Sequence, residues 1–136
     1  MAGKILLEVV TPEHLLLSKQ VDEVIAPGSE GEFGVLPGHA PFITTLKIGE
    51  LQYKVGEEWS YMAVLWGYAE VNPTKVTVLA EIAEKAEDID VERATKKVAE
   101  AEERLKVGGL PSDLKEAQIS LEKARLRKRI AERTRR

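Results

Sequence analysis

The chain has 136 residues, 43% of them hydrophobic and 32% charged, with a net charge of −3. That is the composition of one ordinary globular domain, or of a small domain with an appendage, and not of a disordered chain. The absence of cysteine excludes disulfides and thiol chemistry, and no apolar run approaches the roughly 20 residues that span a bilayer.

The opening segment MAGKILLEVV has one lysine and a short apolar run broken by Glu8, which reads as a strand and not as a signal peptide. Without a recognisable transit peptide, a bacterial cell is expected in preference to a mitochondrion, with a plastid-encoded chain as the open alternative. Charge is unevenly spread. Residues 1–83 carry 11 acidic and 5 basic side chains, whereas residues 121–136 carry 8 basic and 2 acidic. An acidic body with a basic end suggests that the end meets something negative.

From Lys4 to about Glu81 the pattern is that of strands separated by turns. The expected runs are residues 5–10, 14–18, 21–26, 33–36, 42–47, 51–55, 59–65, 68–71 and 76–80. The turns carry Thr11-Pro12, Ala26-Pro27-Gly28, Gly56 and Asn72-Pro73. So many short strands imply two packed sheets or a flattened barrel, and leave no room for the crossover helices of βαβ units.

The densest turn signal is Ala26–Pro41, APGSEGEFGVLPGHAP, where glycine supplies positive φ and proline presets φ near −65°. Gly34 and Gly38 are the expected positive-φ positions there. His39, between Gly38 and Ala40, reads as a turn residue bonded to backbone.

From about Ala83 the remaining residues contain no aromatic. Val91, Ala94, Val98, Ala101 and Leu105 recur at steps of three and four, as do Leu114, Ala117, Leu121, Ala124, Lys128 and Ala131. Gly108 and Gly109 end the first helix, with Ser112 or Asp113 expected to cap the second. The result is a helical hairpin with a hinge near residues 107–112. Its alanine-rich seam buries little area, so it is expected to be marginal alone and able to dock in more than one place. Lys128 falls on that stripe, while Ile119, Leu126 and Ile130 lie off it, and the plainer alternative is a permanently docked hairpin whose off-stripe apolar residues rest on the β domain.

The spacing P-G-x-E-G-x-F-G-V-L-P-G-H-A-P resembles the epsilon subunit of the F-type ATP synthase, bacterial type. Trp66-Gly67-Tyr68-Ala69-Glu70-Val71 is similar to the G-G-F-x-E-V strand of that family, with Trp66 in place of the first glycine. The resemblance covers essentially the whole chain. It implies an N-terminal antiparallel β-sandwich of about ten strands over residues 1–85, followed by a two-helix antiparallel hairpin over 86–136. It further implies a noncatalytic rotor-stalk subunit that binds gamma, sits on the c-subunit ring and restrains ATP hydrolysis. The place implied is the cytoplasmic face of the bacterial plasma membrane, peripheral, as part of F1.

Site residues follow from the same resemblance. The corner faces the ring or gamma, which makes Glu32 and His39 contact residues. Ile89-Asp90-Val91-Glu92-Arg93-Ala94 resembles the I/L-D-x-x-R-A motif with which some bacterial epsilon subunits bind a regulatory ATP. Glu84 matches the preceding glutamate, and Lys123 and Arg127 match two basic positions on the second helix, where the family's ATP binders have arginine at both. Lysine keeps the charge and loses the planar fork. Read without the family, Asp90 is an N-cap and Arg93 a surface ion-pair partner.

The basic end, with Lys123, Arg125, Arg127, Lys128, Arg129, Arg133, Arg135 and Arg136, reads by default as a solvated helix face. The resemblance implies docking on the alpha and beta subunits through an extended second helix. No metal site is expected, since His14 and His39 are far apart and lack cysteine partners. No P-loop is present, so hydrolysis of the usual kind is excluded. The alternative function is a free-standing β-sandwich adaptor whose basic helical arm binds nucleic acid or another acidic surface. The favoured reading includes no nucleic-acid partner, because the body is acidic and no aromatic is interleaved in the basic end.

Overall fold

The computed structural model describes residues 3–134, up to the backbone of Thr134. It divides into two compact units, Met1–Lys85 and Ala86–Arg136. The first holds eight strands: β1 (Ile5–Val10), β2 (Leu15–Val21), β3 (Glu23–Gly28), β4 (Gly31–Val35), β5 (Phe42–Leu46), β6 (Gly49–Val55), β7 (Glu58–Val71) and β8 (Lys75–Lys85).

The hydrogen-bonded path runs β2-β1-β8-β7-β5-β3-β4, with β6 bridging β3 and β7. The ladder thus folds over itself as a β-sandwich around one apolar core. Alternate residues supply that core, as in Ile5, Leu7 and Val9 of β1 and Val76, Val78 and Ala80 of β8, all buried. Fully burying one such side chain is worth about 1.5–3 kcal/mol.

Among the described residues there are eight strands and not about ten. The main reason is β7, where the runs expected at 59–65 and 68–71 are one strand of 14 residues. Trp66-Gly67 looked like a break and is a switch. Before it the core residues of β7 are Met62 and Val64; after it they are Ala69 and Val71, so the inward parity flips. Trp66 has φ 53 and Gly67 φ 147, which turn the chain over without ending the strand.

The pairing changes at the same place. The β6 ladder on β7 ends at Gly49–Val64, and the β5 ladder starts at Leu46–Gly67. One strand therefore serves both layers, as strands do at sandwich corners.

Pairing is antiparallel with one exception. β1 and β8 run parallel, from Leu6–Lys75 to Val10–Leu79. No crossover helix is needed, because the rest of the unit lies between these two strands in sequence.

The Ala26–Pro41 corner also differs from expectation in one detail. Gly38 has φ 88, but the other positive-φ glycine there is Gly31, at φ 135. Gly34 is an ordinary strand residue, paired with Ile25, and a Cβ on it would meet only the Val24 carbonyl oxygen at 4.0 Å.

The second unit opens with a single 3₁₀ turn at Ala86–Asp88, followed by α1 (Val91–Val107) and α2 (Pro111–Thr134). Asp90 caps α1 by accepting the Arg93 N–H at 3.1 Å. Gly108, at φ 82, closes it by donating to the Arg104 carbonyl. The expected cap at Ser112 or Asp113 is not used. Pro111 occupies the first helical position, where its missing N–H costs nothing, and the Leu114 N–H bonds to the Leu110 carbonyl.

The buried residues of α1 are Ala94 and Ala101 alone. α2 buries two rows: Ala117, Leu121, Ala124 and Ala131 on one side, Leu126 and Ile130 on another. The 3₁₀ turn packs on α2, with Ala86 buried. No described helix is long and apolar enough to cross a membrane.

Candidate functional site

In the β unit the corner is pinned by backbone bonds. The Gly38 N–H donates to the Pro73 carbonyl at 2.8 Å and the His39 N–H to the Leu36 carbonyl at 3.1 Å. His39 is half-buried. Its Nδ1 lies 2.6 Å from the Ala40 carbonyl oxygen and donates to it, and the ring lies tilted 6.4 Å from that of Phe42. It is the backbone-bonded turn residue that the sequence suggested. Glu32 sits exposed on β4, the terminal strand of the sheet path, opposite Pro27. Both residues thus belong to one corner, Glu32 on its strand and His39 in its turn.

The sequence reading missed an exposed apolar row beside that corner. On β7, Tyr68 and Glu70 face out while Ala69 and Val71 face the core. Cross-strand neighbours share a face, which puts Ile43 beside Glu70 and Leu79 beside Tyr68. Ile43 is 66% exposed, Tyr68 46% and Trp66 36%. The only signal in the sequence was an aromatic where the resembled motif has glycine.

Two ion pairs stitch the same unit. Lys4 Nζ lies 2.7 Å from Asp22 Oδ1, and Asp22 Oδ2 accepts the Gly56 N–H at 2.7 Å. The bond from Lys4, with that from Gly56 behind it, holds the Asp22 carboxyl below its usual range. Lys75 Nζ lies 2.6 Å from Glu8 Oε1 and lowers the Glu8 carboxyl in the same way.

In the hairpin unit Ile89 is buried and Asp90 and Arg93 are exposed on the first turn of α1, tied through the cap; Ala94 is buried in the seam. Lys123 and Arg127 are half-buried and one turn apart on α2. Glu84 lies near the end of β8, in the other unit. An open groove of about 780 Å³ occupies the hairpin tip, lined by Ala99, Glu100, Glu103, Val107, Asp113 and Leu114 among others. Glu100, Glu103 and Asp113 outnumber the one lining cation, Arg104, so the groove is net negative and disfavours a polyphosphate. Arg93, Lys123 and Arg127, the cations that the resemblance assigns to a polyphosphate, lie on α1 and α2 and do not line this groove.

Of the basic end, Arg125 and Arg129 are exposed, and Lys128 and Arg133 are half-buried. Arg125 Nη2 reaches Glu102 Oε2 of α1 at 3.4 Å, an exposed pair worth little by itself. Arg135 and Arg136 lie outside the described residues. Among the described residues no cluster of His, Asp or Glu could hold a metal ion.

Residues 4–86 match the family model of the ATP synthase delta/epsilon chain β-sandwich domain, and residues 87–132 that of the delta/epsilon long α-helix domain. The chain is 51% identical over 133 residues to the ATP synthase epsilon chain of Geobacter metallireducens, covering 96% of each. It is 48% identical over 141 residues to that of Syntrophobacter fumaroxidans, covering 98% of this chain and all of the relative.

Among solved structures it superposes on a chain of the Euglena gracilis mitochondrial ATP synthase OSCP/F1/c-ring assembly with TM-score 0.81 and 25% identity. That match covers 92% of this chain and 79% of the other. A chain of the Tetrahymena thermophila central stalk and c-ring shares the fold at TM-score 0.61 and 13% identity, covering 96% and 98%. None of these similarities supports a free-standing nucleic-acid adaptor. The chain belongs to the delta/epsilon chain family of ATP synthases.

Proposed function

We propose that this chain is the noncatalytic epsilon subunit of a bacterial proton-translocating F-type ATP synthase. In this reading it is part of the rotor stalk, peripheral at the cytoplasmic face of the plasma membrane. Its β unit, through the corner that carries Glu32 and His39, links gamma to the c ring, and its hairpin restrains ATP hydrolysis. The observation that carries the reading is similarity across both units to proteins named ATP synthase epsilon chain, at about half of all positions.

The restraint rests on the hairpin's weak seam. Two buried alanines on α1 contribute far less than the roughly 1.5–3 kcal/mol of a buried leucine or valine. Gly108 and Gly109, at φ 82 and 141, provide a hinge between the helices. Extension of α2 would carry Arg125, Lys128, Arg129 and Arg133 to acidic surface on alpha and beta. Several charges acting together outweigh what one exposed pair provides.

A regulatory ATP belongs to the same proposal. Arg93, Lys123 and Arg127 would take its phosphates, and Asp90, whose Oδ1 already accepts the Arg93 N–H, would use Oδ2 for the base or sugar. Bound ATP would supply only negative charge and shape, and it shifts the hairpin by no more than its differential affinity for the folded form.

Copurification tests the reading. A tagged copy expressed in its own cell should bring down gamma and the other F1 subunits. Recovery of nucleic acid without them would contradict it.

A further inference from the structure

Trp66 holds a backbone conformation that suits glycine. Its φ of 53 is the left-handed region, which costs an L side chain roughly 1–2 kcal/mol. The strain has no local escape. Gly67 is wedged against the Leu79 carbonyl, so the turn-over of β7 is fixed at this point. Glycine would serve the switch at 66 as well, and without strain. A bulky indole there asks for a reason other than the path of the backbone.

The surroundings supply one. Trp66 is 36% exposed and stands at the corner of the outward row that continues through Tyr68, Leu79 and Ile43. Exposed carboxylates punctuate the row: Glu70 beside Ile43, and Glu81, which lies level with Trp66 between the pairs Leu65–Ile82 and Gly67–Ala80. Aromatic side chains on rigid elements are the usual anchors of protein interfaces, and exposed apolar patches of this kind mark contact surfaces.

We infer that Trp66 is the specificity-determining anchor of the contact between this chain and the gamma subunit of its own complex. That partner would offer an apolar pocket for an aromatic ring, flanked by lysine or arginine facing Glu70 and Glu81. The inference rests on the rotor-stalk reading and adds to it the residue that matches this chain to its own partner. A partner adapted to a chain with glycine at 66 needs no such pocket.

The test measures affinity of the full chain for purified gamma subunit of the same organism, alongside the melting temperature of each variant. Trp66→Ala keeps the strain and removes the indole, while Trp66→Gly removes both. Both variants should bind at least ten-fold more weakly than the parent and equally with each other, although Trp66→Gly melts above Trp66→Ala. In a Trp59→Phe background the emission of Trp66 should shift to the blue when gamma binds.

Parent-like binding by either variant would overturn the anchor, as would binding that follows the melting order. Either result leaves the stalk reading intact. A parent chain that is folded and does not bind gamma would overturn that reading, and the anchor with it.

Discussion

Gly67 lies so close to Leu79 that a Cβ on it would overlap the Leu79 carbonyl oxygen and crowd the Ala80 backbone. That contact holds the point where β7 exchanges its inward face and its pairing partner. Gly67→Ala should therefore destabilise the β unit by at least about 2 kcal/mol, because the neighbour is backbone and cannot move aside. At the adjacent position Trp66→Gly should be more stable than Trp66→Ala by about 1 kcal/mol, the cost of left-handed φ in an L residue. Thermal or urea unfolding of the three variants checks both.

Asp22 and Glu8 contribute to the acid side of stability. Both carboxyls titrate below their unfolded values in the native state, Asp22 through Lys4 and Gly56 and Glu8 through Lys75. A depressed native pKa gives stability that is fully present above the unfolded pKa and is lost as pH falls through the folded one. The melting temperature should thus be flat near neutrality and fall on acidification below the usual carboxylate range. Asp22→Asn should lower it at pH 7 and make the acid decline shallower.

The corner separates two glycines that look alike in sequence. Gly38→Val should impair folding, since a β-branched residue is strongly disfavoured at φ 88. Gly34→Val should be tolerated within about 1 kcal/mol, because the position is extended strand with open space around it. Circular dichroism melts of the two variants distinguish them.

Much of this was legible in the sequence, for particular reasons. The change from strands to helices is written in residue type, since every aromatic precedes Ala83. Asp90 reads as a cap because its side chain acts on the next turn. What stayed hidden is non-local or conformational. Nothing in the periods of residues 5–10 and 75–85 announces that β1 and β8 pair in parallel, because partner choice is decided by the whole sandwich. Trp66-Gly67 carries a breaker's composition, and only the ladders on either side reveal a switch. Leu126 and Ile130 lie off the alanine stripe and are nonetheless buried, which a single-face reading of α2 does not anticipate. At the site, the resemblance names Arg93, Lys123 and Arg127, whereas whether they meet around one ligand depends on tertiary geometry that spacing does not encode.

Nucleotide binding is accessible to calorimetry of the isolated chain. Millimolar ATP should release heat, and Arg93→Ala or Arg127→Ala should weaken binding by about ten-fold, the scale of one lost charge-assisted bond. Lys123→Arg should tighten it through the planar fork. Identical titrations of the parent and Arg93→Ala would remove the nucleotide switch and leave the docking of the basic helix untouched.

The restraint of hydrolysis is the central claim, and reconstitution tests it most directly. ATPase activity is measured for F1 complexes depleted of this subunit, then with the full chain added, then with a fragment ending at Lys85. The full chain should lower the hydrolysis rate, and the fragment should bind the complex without lowering it. Equal rates with the full chain and with the fragment would contradict a regulatory hairpin.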